Sequence, residues 1–268
     1  MKPSLMVATV ELLRYQESDA QTVQDAVAVE EPLEIRLAYQ MQGRRVVKPI
    51  SITMRTPGAD AELAAGFLVG EGLVRSREEI LSVETPEPNQ VVVELRNGAE
   101  VEIERLQRNF YATSSCGICG RASLEALEAH IPVLPVTPFP LDPKLIAELP
   151  QRAASAQDAF AMTGGLHAAA LFTQQGECLR VREDVGRHNA LDKLTGSYLL
   201  EGRLPLTEHL LLLSGRASFE LMQKAILAGI PVIVAVGAPS SLAIDLARRR
   251  GRTLIGFLRG SRFNVYSS

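Results

Sequence analysis

Apolar and polar positions follow one rhythm in the first part of the chain and another in the last. Leu33, Ile35 and Leu37 alternate with Glu34 and Arg36, the period of a strand with one face buried. A second apolar stretch, Val46 to Met54, is interrupted by Pro49, which predicts an edge strand or a bulge. Asp60 then offers a cap for a helix that carries Leu63, Phe67 and Leu68 toward a core. Val91, Val93 and Leu95 are predicted to pair with Val101 and Ile103 across Asn97-Gly98, the strongest short hairpin signal. Together these elements predict a small β-rich α+β domain over residues 1–110.

The style changes near Asn109. A loop rich in Ser, Gly and Cys, Thr113 to Gly120, leads into a short helix containing Leu124 and Leu127. Five prolines between Ile131 and Pro143 make a connector, and Asp142-Pro143 opens the next helix. Strand-like and helical stretches then alternate. His167–Thr173, Leu210–Leu213, Val232–Val236 and Thr253–Leu258 read as strands, and Arg187–Leu200, Phe219–Leu227 and Ser240–Arg250 as helices. That order predicts an α/β domain over residues 111–268 with a parallel sheet at its core.

Composition adds bounds. With 46% apolar and 22% charged residues, the 268-residue chain is an ordinary globular one with enough length to bury a full core. A net charge of −3 argues against a broad nucleic-acid footprint. No apolar run approaches the roughly 20 residues that span a bilayer, so no membrane association is expected. The opening Met1 to Leu5 soon meets Glu11 and Arg14 and lacks a signal-peptide core. Three cysteines make no even disulfide framework and fit a reducing compartment, so a cytoplasmic protein is expected.

Three constellations carry candidate chemistry. The first is Ser114-Ser115-Cys116-Gly117-Ile118-Cys119-Gly120, whose C-x-x-C spacing lets two sulfurs meet or share a metal. Glycines 117 and 120 free the backbone to expose both thiols, and Arg121 favours a thiolate. A structural zinc site needs four ligands, and only Cys178 remains. A thioredoxin-like dithiol needs a strand-to-helix setting after a βαβ start, whereas this pair follows a loop in mid-chain. A persulfide carrier needs one exposed nucleophile with a neighbour that releases or protects the sulfur, which this loop suits. The residues alone leave the three uses open. Cys178 itself reads as a buried bystander.

The second constellation is Arg182-Glu183-Asp184-Val185-Gly186-Arg187-His188-Asn189, polar groups crowded around one glycine before a helix. It reads as a capped helix start, with Asp184 or Asn189 bonding backbone amides, or as a site where His188 acts as acid, base or ligand. The third comprises the ends of the predicted parallel strands: Ser214-Gly215-Arg216, Gly237-Ala238-Pro239-Ser240-Ser241 and Arg259-Gly260-Ser261-Arg262. Ligands of open α/β sheets bind beyond such ends, and serine, glycine and arginine there suit phosphate. No loop matches a P-loop or a Rossmann dinucleotide motif.

Taken together, these stretches resemble the formate dehydrogenase accessory sulfurtransferase (FdhD) family. The resemblance is carried by Ser115-Cys116-Gly117-Ile118-Cys119-Gly120, Thr163-Gly164-Gly165-Leu166-His167 and Glu183-Asp184-Val185-Gly186-Arg187-His188-Asn189-Ala190. Ser214-Gly215-Arg216, Ala228-Gly229-Ile230-Pro231 and Gly256-Phe257-Leu258-Arg259-Gly260 extend it, from Ala64-Gly66-Phe67 almost to the C-terminus.

The resemblance implies a homodimer whose C-terminal part is similar to the cytidine deaminase fold. It implies that sulfur arrives from a cysteine desulfurase as a persulfide. The acceptor is the molybdenum (or tungsten) bis-guanine-dinucleotide cofactor, Mo-bis(molybdopterin guanine dinucleotide), which then enters formate dehydrogenase. By motif, Cys116 is the persulfide residue and Cys119 its helper. Phe257, Leu258, Arg259, Gly260, Ser261 and Arg262 match the family's cofactor-binding segment. His167 is followed by Ala168 and Ala169, so the H-x-E of zinc deaminases is missing and no zinc is expected. Two other functions stay open: a chaperone that holds the cofactor without moving sulfur, and a zinc-dependent nucleobase deaminase on the same fold.

Overall fold

The structure, a computed structural model, describes residues 5–96 and 142–268. Elements are numbered in chain order among these residues. Strands β1 (Val7–Gln16) and β2 (Asp19–Ala28) form a separate two-stranded antiparallel ribbon. Strands β3 (Glu31–Met41), β4 (Arg44–Arg55), β5 (Ile80–Glu87) and β6 (Gln90–Leu95) form a four-stranded sheet in the order β4-β3-β6-β5. The third sheet has six strands, ordered β12-β11-β10-β9-β7-β8. These are β7 (His167–Phe172), β8 (Cys178–Asp184), β9 (Leu210–Leu213), β10 (Val232–Ala235), β11 (Thr253–Arg259) and β12 (Arg262–Ser267).

The periods read from the sequence have physical causes here. In β3 and β6 every second residue is buried: Leu33, Ile35 and Leu37 on one strand, Val91, Val93 and Leu95 on the other. Only one face of that sheet is packed, so the pattern alternates. Pro49 meets both expectations placed on it. Strand β4 is the sheet edge, and the register slips from Ile35↔Ser51 to Arg36↔Pro49. In contrast, Leu210–Leu213 and Val232–Ala235 are buried throughout, because both faces of the central sheet are covered. Helices α4 (Arg187–Leu200), α5 (Phe219–Leu227) and α6 (Ser241–Arg249) pack on one face. Helix α2 (Pro143–Ala154) packs on the other through Ile146, Leu149 and Ala153. A short helix, α3 (Asp158–Thr163), follows α2.

Several expectations need correction. Within the six-stranded sheet only β9, β10 and β11 run parallel; β7 is antiparallel to both β8 and β9, and β12 returns antiparallel to β11. Short hairpin returns make these antiparallel edges, and the alternation of strand and helix in the sequence hid them. The ribbon β1–β2 was also unread, since its apolar residues are scattered over both faces. Asp60 does not cap α1 (Asp60–Gly70); Ala59 holds the cap position and Asp60 receives Arg55 through two bonds of 2.9 Å. Asp142 does cap α2, accepting from the Lys144 amide at 2.9 Å with Pro143 in the first turn. The Asn97-Gly98 hairpin lies outside the described residues.

Helix α1 joins the two larger sheets. Leu63, Leu68 and Val69 pack on β3 and β6, while the opposite side of α1 lies against α4. The contact is made by Gly66 and Gly196. A β-carbon on Gly66 would stand 1.8 Å from the Asp192 carbonyl oxygen, and one on Gly196 would stand 1.8 Å from that of Glu62. Neither position tolerates a methyl without separating the helix backbones. Gly66→Ala or Gly196→Ala is therefore expected to cost about 3 kcal/mol or more, the upper range of overpacking penalties. Urea denaturation of each variant measures the loss; a change under about 1 kcal/mol would show that the helices move apart freely.

Candidate functional site

Helix α4 is the middle layer of the molecule, and its buried positions run from Asn189 to Leu199. Among them are Asp192 and Lys193, charges that need partners at that depth. Asp192 receives Lys224 of α5 at 2.8 Å on each oxygen. Lys193 reaches Asp184 at 2.7 Å and the Thr56 carbonyl at 2.7 Å.

Asp184, fully buried at the end of β8, also accepts from the amides of Thr56 and Gly186 and from the Asn189 side chain. Asn189 donates to the Met54 carbonyl and accepts from the Thr53 hydroxyl. This network ties the end of β4 to the start of α4.

The second constellation thus divides by role. Asp184, Asn189 and the residues around Gly186 build the helix start, as the capping reading expected. Arg182 forms a bidentate pair with Glu62 of α1, at 2.6 and 2.8 Å. Glu183 accepts the Ala159 and Phe160 amides at the start of α3; burial nevertheless pushes its carboxyl above the ordinary range. Arg187 and His188 remain, and both line a cleft of about 790 Å³ between β4, α1, α4 and α5. His188 Nε2 lies 3.0 Å from Glu220 and 3.4 Å from the Ser218 hydroxyl. Both contacts fall on one ring nitrogen, so this is not a nucleophile–base–acid relay.

The sheet brings the third constellation to the same place. Because β7 is antiparallel to β9, His167 at the start of β7 faces the end of β9, where the Ser214 hydroxyl lies 3.4 Å from His167 Nδ1. Ser214 also accepts the Ala168 amide at 2.8 Å. Gly237 donates to the Gly215 carbonyl, and the Phe257 amide donates to the Gly237 carbonyl, both from the ends of neighbouring strands. One sheet end therefore carries His167, Asp184, Ser214–Gly215, Gly237 and Phe257 in line.

Phe257 has a φ of 55°, at an irregular point of the β11–β12 pairing. Beyond it, Arg259 pairs with Arg262 and Gly260, at a φ of +55°, makes the turn with Ser261. The segment Phe257–Arg262 is thus a hairpin tip and not an open strand end. Leu258 is buried, and Arg259, Gly260, Ser261 and Arg262 are exposed. None of the six lines the 790 Å³ cleft.

Cys116 and Cys119 lie outside the described residues. Cys178 is half-buried in β8, and burial pushes its thiol above the ordinary range, as suits a bystander. The sequence reading missed Thr53, Thr56 and Ser218. Ser218 carried a signal, since it caps α5 by accepting the Leu221 amide. The two threonines carried none, because their partners lie more than 120 residues away. No helix among the described residues is long and apolar enough to cross a membrane.

The model of the FdhD/NarQ family matches residues 28–268. A protein of Streptomyces coelicolor named "Sulfur carrier protein FdhD" is 50% identical over 267 residues, covering 96% of this chain and 92% of its own. One of the same name from Sulfolobus acidocaldarius is 43% identical over 263 residues, covering 98% and 97%. A crystal structure from Desulfotalea psychrophila, described as a "putative formate dehydrogenase accessory protein", is similar with a TM-score of 0.73 and 25% identity. It covers 98% of this chain and 97% of that one.

Two predictions follow from the site's electrostatics. Lys193→Met leaves Asp184 buried without its cation and should cost about 3–5 kcal/mol by denaturant unfolding. A loss below 1 kcal/mol would mean the amides alone satisfy Asp184. The second concerns His167, whose imidazole is held below the ordinary histidine range by burial, with the charges of Arg187 and His188 adding to it. Folding therefore favours its neutral form. Its contribution to stability is complete above the ordinary histidine pKa and is lost as pH falls toward the lowered folded value. An NMR titration in which His167 protonates at or above the ordinary range would contradict this.

Proposed function

The chain belongs to the FdhD/NarQ family, and from that premise we propose that it is a sulfur carrier that serves formate dehydrogenase maturation. The observation that carries the reading is near-complete overlap with relatives named sulfur carriers, in a chain whose three cysteines include one closely spaced pair. Within the proposal, a cysteine desulfurase is the donor and Mo-bis(molybdopterin guanine dinucleotide) is the cargo. Phe257–Arg262 holds the guanine end, and the protein works as a cytoplasmic homodimer. The exposed arginines of that hairpin tip support its part in the reading. The proposal retains a cytidine deaminase-like unit over residues 111–268 after a β-rich unit over 1–110. Support comes from three parallel central strands with helices on both faces.

The chemistry balances as two exchanges. The Cys116 thiolate attacks the outer sulfur of the donor's persulfide; the donor's S–S bond breaks, and its cysteine leaves as thiolate. Cys116 now carries the persulfide. The Cys119 thiolate then attacks the Cys116 sulfur, expelling hydrosulfide for the metal of the cargo and forming a Cys116–Cys119 disulfide. A dithiol reductant returns both cysteines to thiols.

Cys116→Ala is expected to reduce sulfur transfer to background while leaving the melting temperature within about 2 °C, as the serine- and glycine-rich sequence around it predicts. Incubation with a desulfurase and cysteine, followed by digestion and mass spectrometry, locates the added sulfur. Sulfur on Cys178, with Cys116→Ala fully active in maturing formate dehydrogenase, would overturn the assignment.

A further inference from the structure

Little holds helix α3 to the body of the protein. Of its six residues only Ala159 is buried, and Phe160 and Met162 are 43% and 52% exposed. Most of its bonds are its own: the Ala161 amide donates to the Gln157 carbonyl, the Gly164 amide to the Phe160 carbonyl, and the Thr163 hydroxyl to the Ala159 carbonyl. Among the described residues, the hydrogen bonds that leave the helix both end on Glu183 of β8. Its carboxylate accepts the Ala159 and Phe160 amides at 3.2 and 2.8 Å. Few buried apolar groups and two outward bonds are the profile of a segment that opens locally.

Both ends of the helix can turn. Ser155 and Ala156, before it, are exposed. Behind it come Gly164, at a φ of +63° with nothing within 4 Å of where a β-carbon would stand, and Gly165. Glycines leave the backbone its widest freedom at such a joint. Strand β2 packs against α3, with the Ala28 β-carbon 3.6 Å from the place of a Gly165 β-carbon. A two-stranded ribbon is marginal on its own, so it follows the helix more readily than it anchors it.

Beside α3 lies a second cavity, of about 210 Å³. Ala168, Ala170, Leu212 and Ser214 form its floor, on the sheet face that α2 covers, and Pro150 of α2 and Phe160 of α3 are among its walls. The Ser214 hydroxyl also lies 3.4 Å from His167. The cavity therefore reaches one strand end from the face opposite α4 and α5.

We infer that α3 is a lid on this cavity, swinging as one unit on residues 155–157 and on Gly164–Gly165, with the Glu183 carboxylate as its latch. Lifting it takes Phe160 out of the wall and lets a small molecule reach Ser214 without disturbing α4 or α5. The latch is a reversible one. Burial pushes the Glu183 carboxyl above its ordinary range and Asp158 of the same helix adds to the shift, so the charge regains water as the helix lifts. The inference rests on α2, α3 and the sheet, and it does not depend on the sulfur-carrier reading.

The test places a cysteine on the cavity floor, Ala170→Cys, and in a second chain one under the opposite face, Leu211→Cys. Both positions are buried, so each thiol meets iodoacetamide only when something opens. Mass spectrometry of the digest separates these thiols from Cys116, Cys119 and Cys178. With a lid, position 170 labels about a hundredfold faster than position 211 or more, because local opening takes less free energy than global unfolding. Low urea should speed position 211 steeply and position 170 hardly at all, since lifting α3 exposes little surface. Glu183→Ala should speed position 170 about tenfold to a hundredfold, the loss of a charge-assisted bond. Glu183→Gln, which keeps the shape and one acceptor, should fall between.

Equal labelling of the two positions, or an equal response to urea, overturns the lid. A rate at position 170 unchanged by Glu183→Ala overturns the latch. Amide exchange of Phe160, Ala161 and Gly164 reads the same opening in the unsubstituted chain. The three should share one opening free energy, and three separate values would show that the helix frays and does not swing.

Discussion

The contact of Gly66 with Gly196 is the constraint on which the rest of the structure depends. Only without β-carbons at both positions can α1 and α4 bring their backbones so close. That closeness sets where the four-stranded sheet sits relative to the six-stranded one. The cleft holding Arg187 and His188 has walls from both units: Ser51, Ile52 and Thr53 from one, Ser218 and Glu220 from the other. A wider helix pair would move these walls apart and break the bonds from Thr53, Met54 and Thr56 to Asn189, Asp184 and Lys193. The geometry of the site is therefore fixed by packing some distance from it.

Placing a helix in the middle layer has an electrostatic consequence. Helix α4 is buried over most of its length, so Asp192 and Lys193 have little access to water, and each is matched by an opposite charge from a different element. Such pairs contribute little net stability compared with apolar residues of the same shape. They contribute position. Lys224 is drawn against α1, where it lies beside Gly70 and 5.5 Å from the centre of the Phe67 ring. Lys193 holds the end of β8 and the turn at Thr56 together. An apolar core could slide by a fraction of a turn at little cost; these bonds do not permit it.

How much was legible follows from which signals are local. Strands with one buried face, such as β3 and β6, alternate and were read. The fully apolar Leu210–Leu213 and Val232–Ala235 announced buried parallel strands. The Asp142-Pro143 start was read because cap and first turn are adjacent in sequence, whereas Asp60 looked like a cap and was taken by Arg55, a tertiary competitor. The polarity of β7 and β12 depends on how hairpins close, and nothing in their composition records it. Of the site, the motifs at 182–189 and 214–216 were recognised singly. Their meeting was not predictable, since it comes from β7 running against β9. The separation of Asp184 and Asn189, which build, from Arg187 and His188, which face the cleft, needed the partners in β4.

That separation also shows in the charges of the cleft, where Arg187, His188 and Lys224 stand beside Glu71, Asp192 and Glu220. The chain's net charge is −3, so long-range fields do not gather anions to it. Local bookkeeping decides instead. Each carboxylate near the sheet end is committed to a named donor: Asp184 to Lys193 and two amides, Glu183 to the start of α3, Glu62 to Arg182, Glu220 to His188. The His188 hydrogen bond holds the Glu220 carboxyl below its ordinary range, so this acid stays charged and turned toward its partner. Burial holds the His167 imidazole below its ordinary range, with the charge of Arg187 adding to the shift. The Arg187 guanidinium lies within reach of the Glu220 charge, and its Nε has no hydrogen-bond partner among the described residues. Charges held this way are fixed by geometry: each of these carboxylates keeps its own donor, whereas charges exposed on the surface are screened by salt.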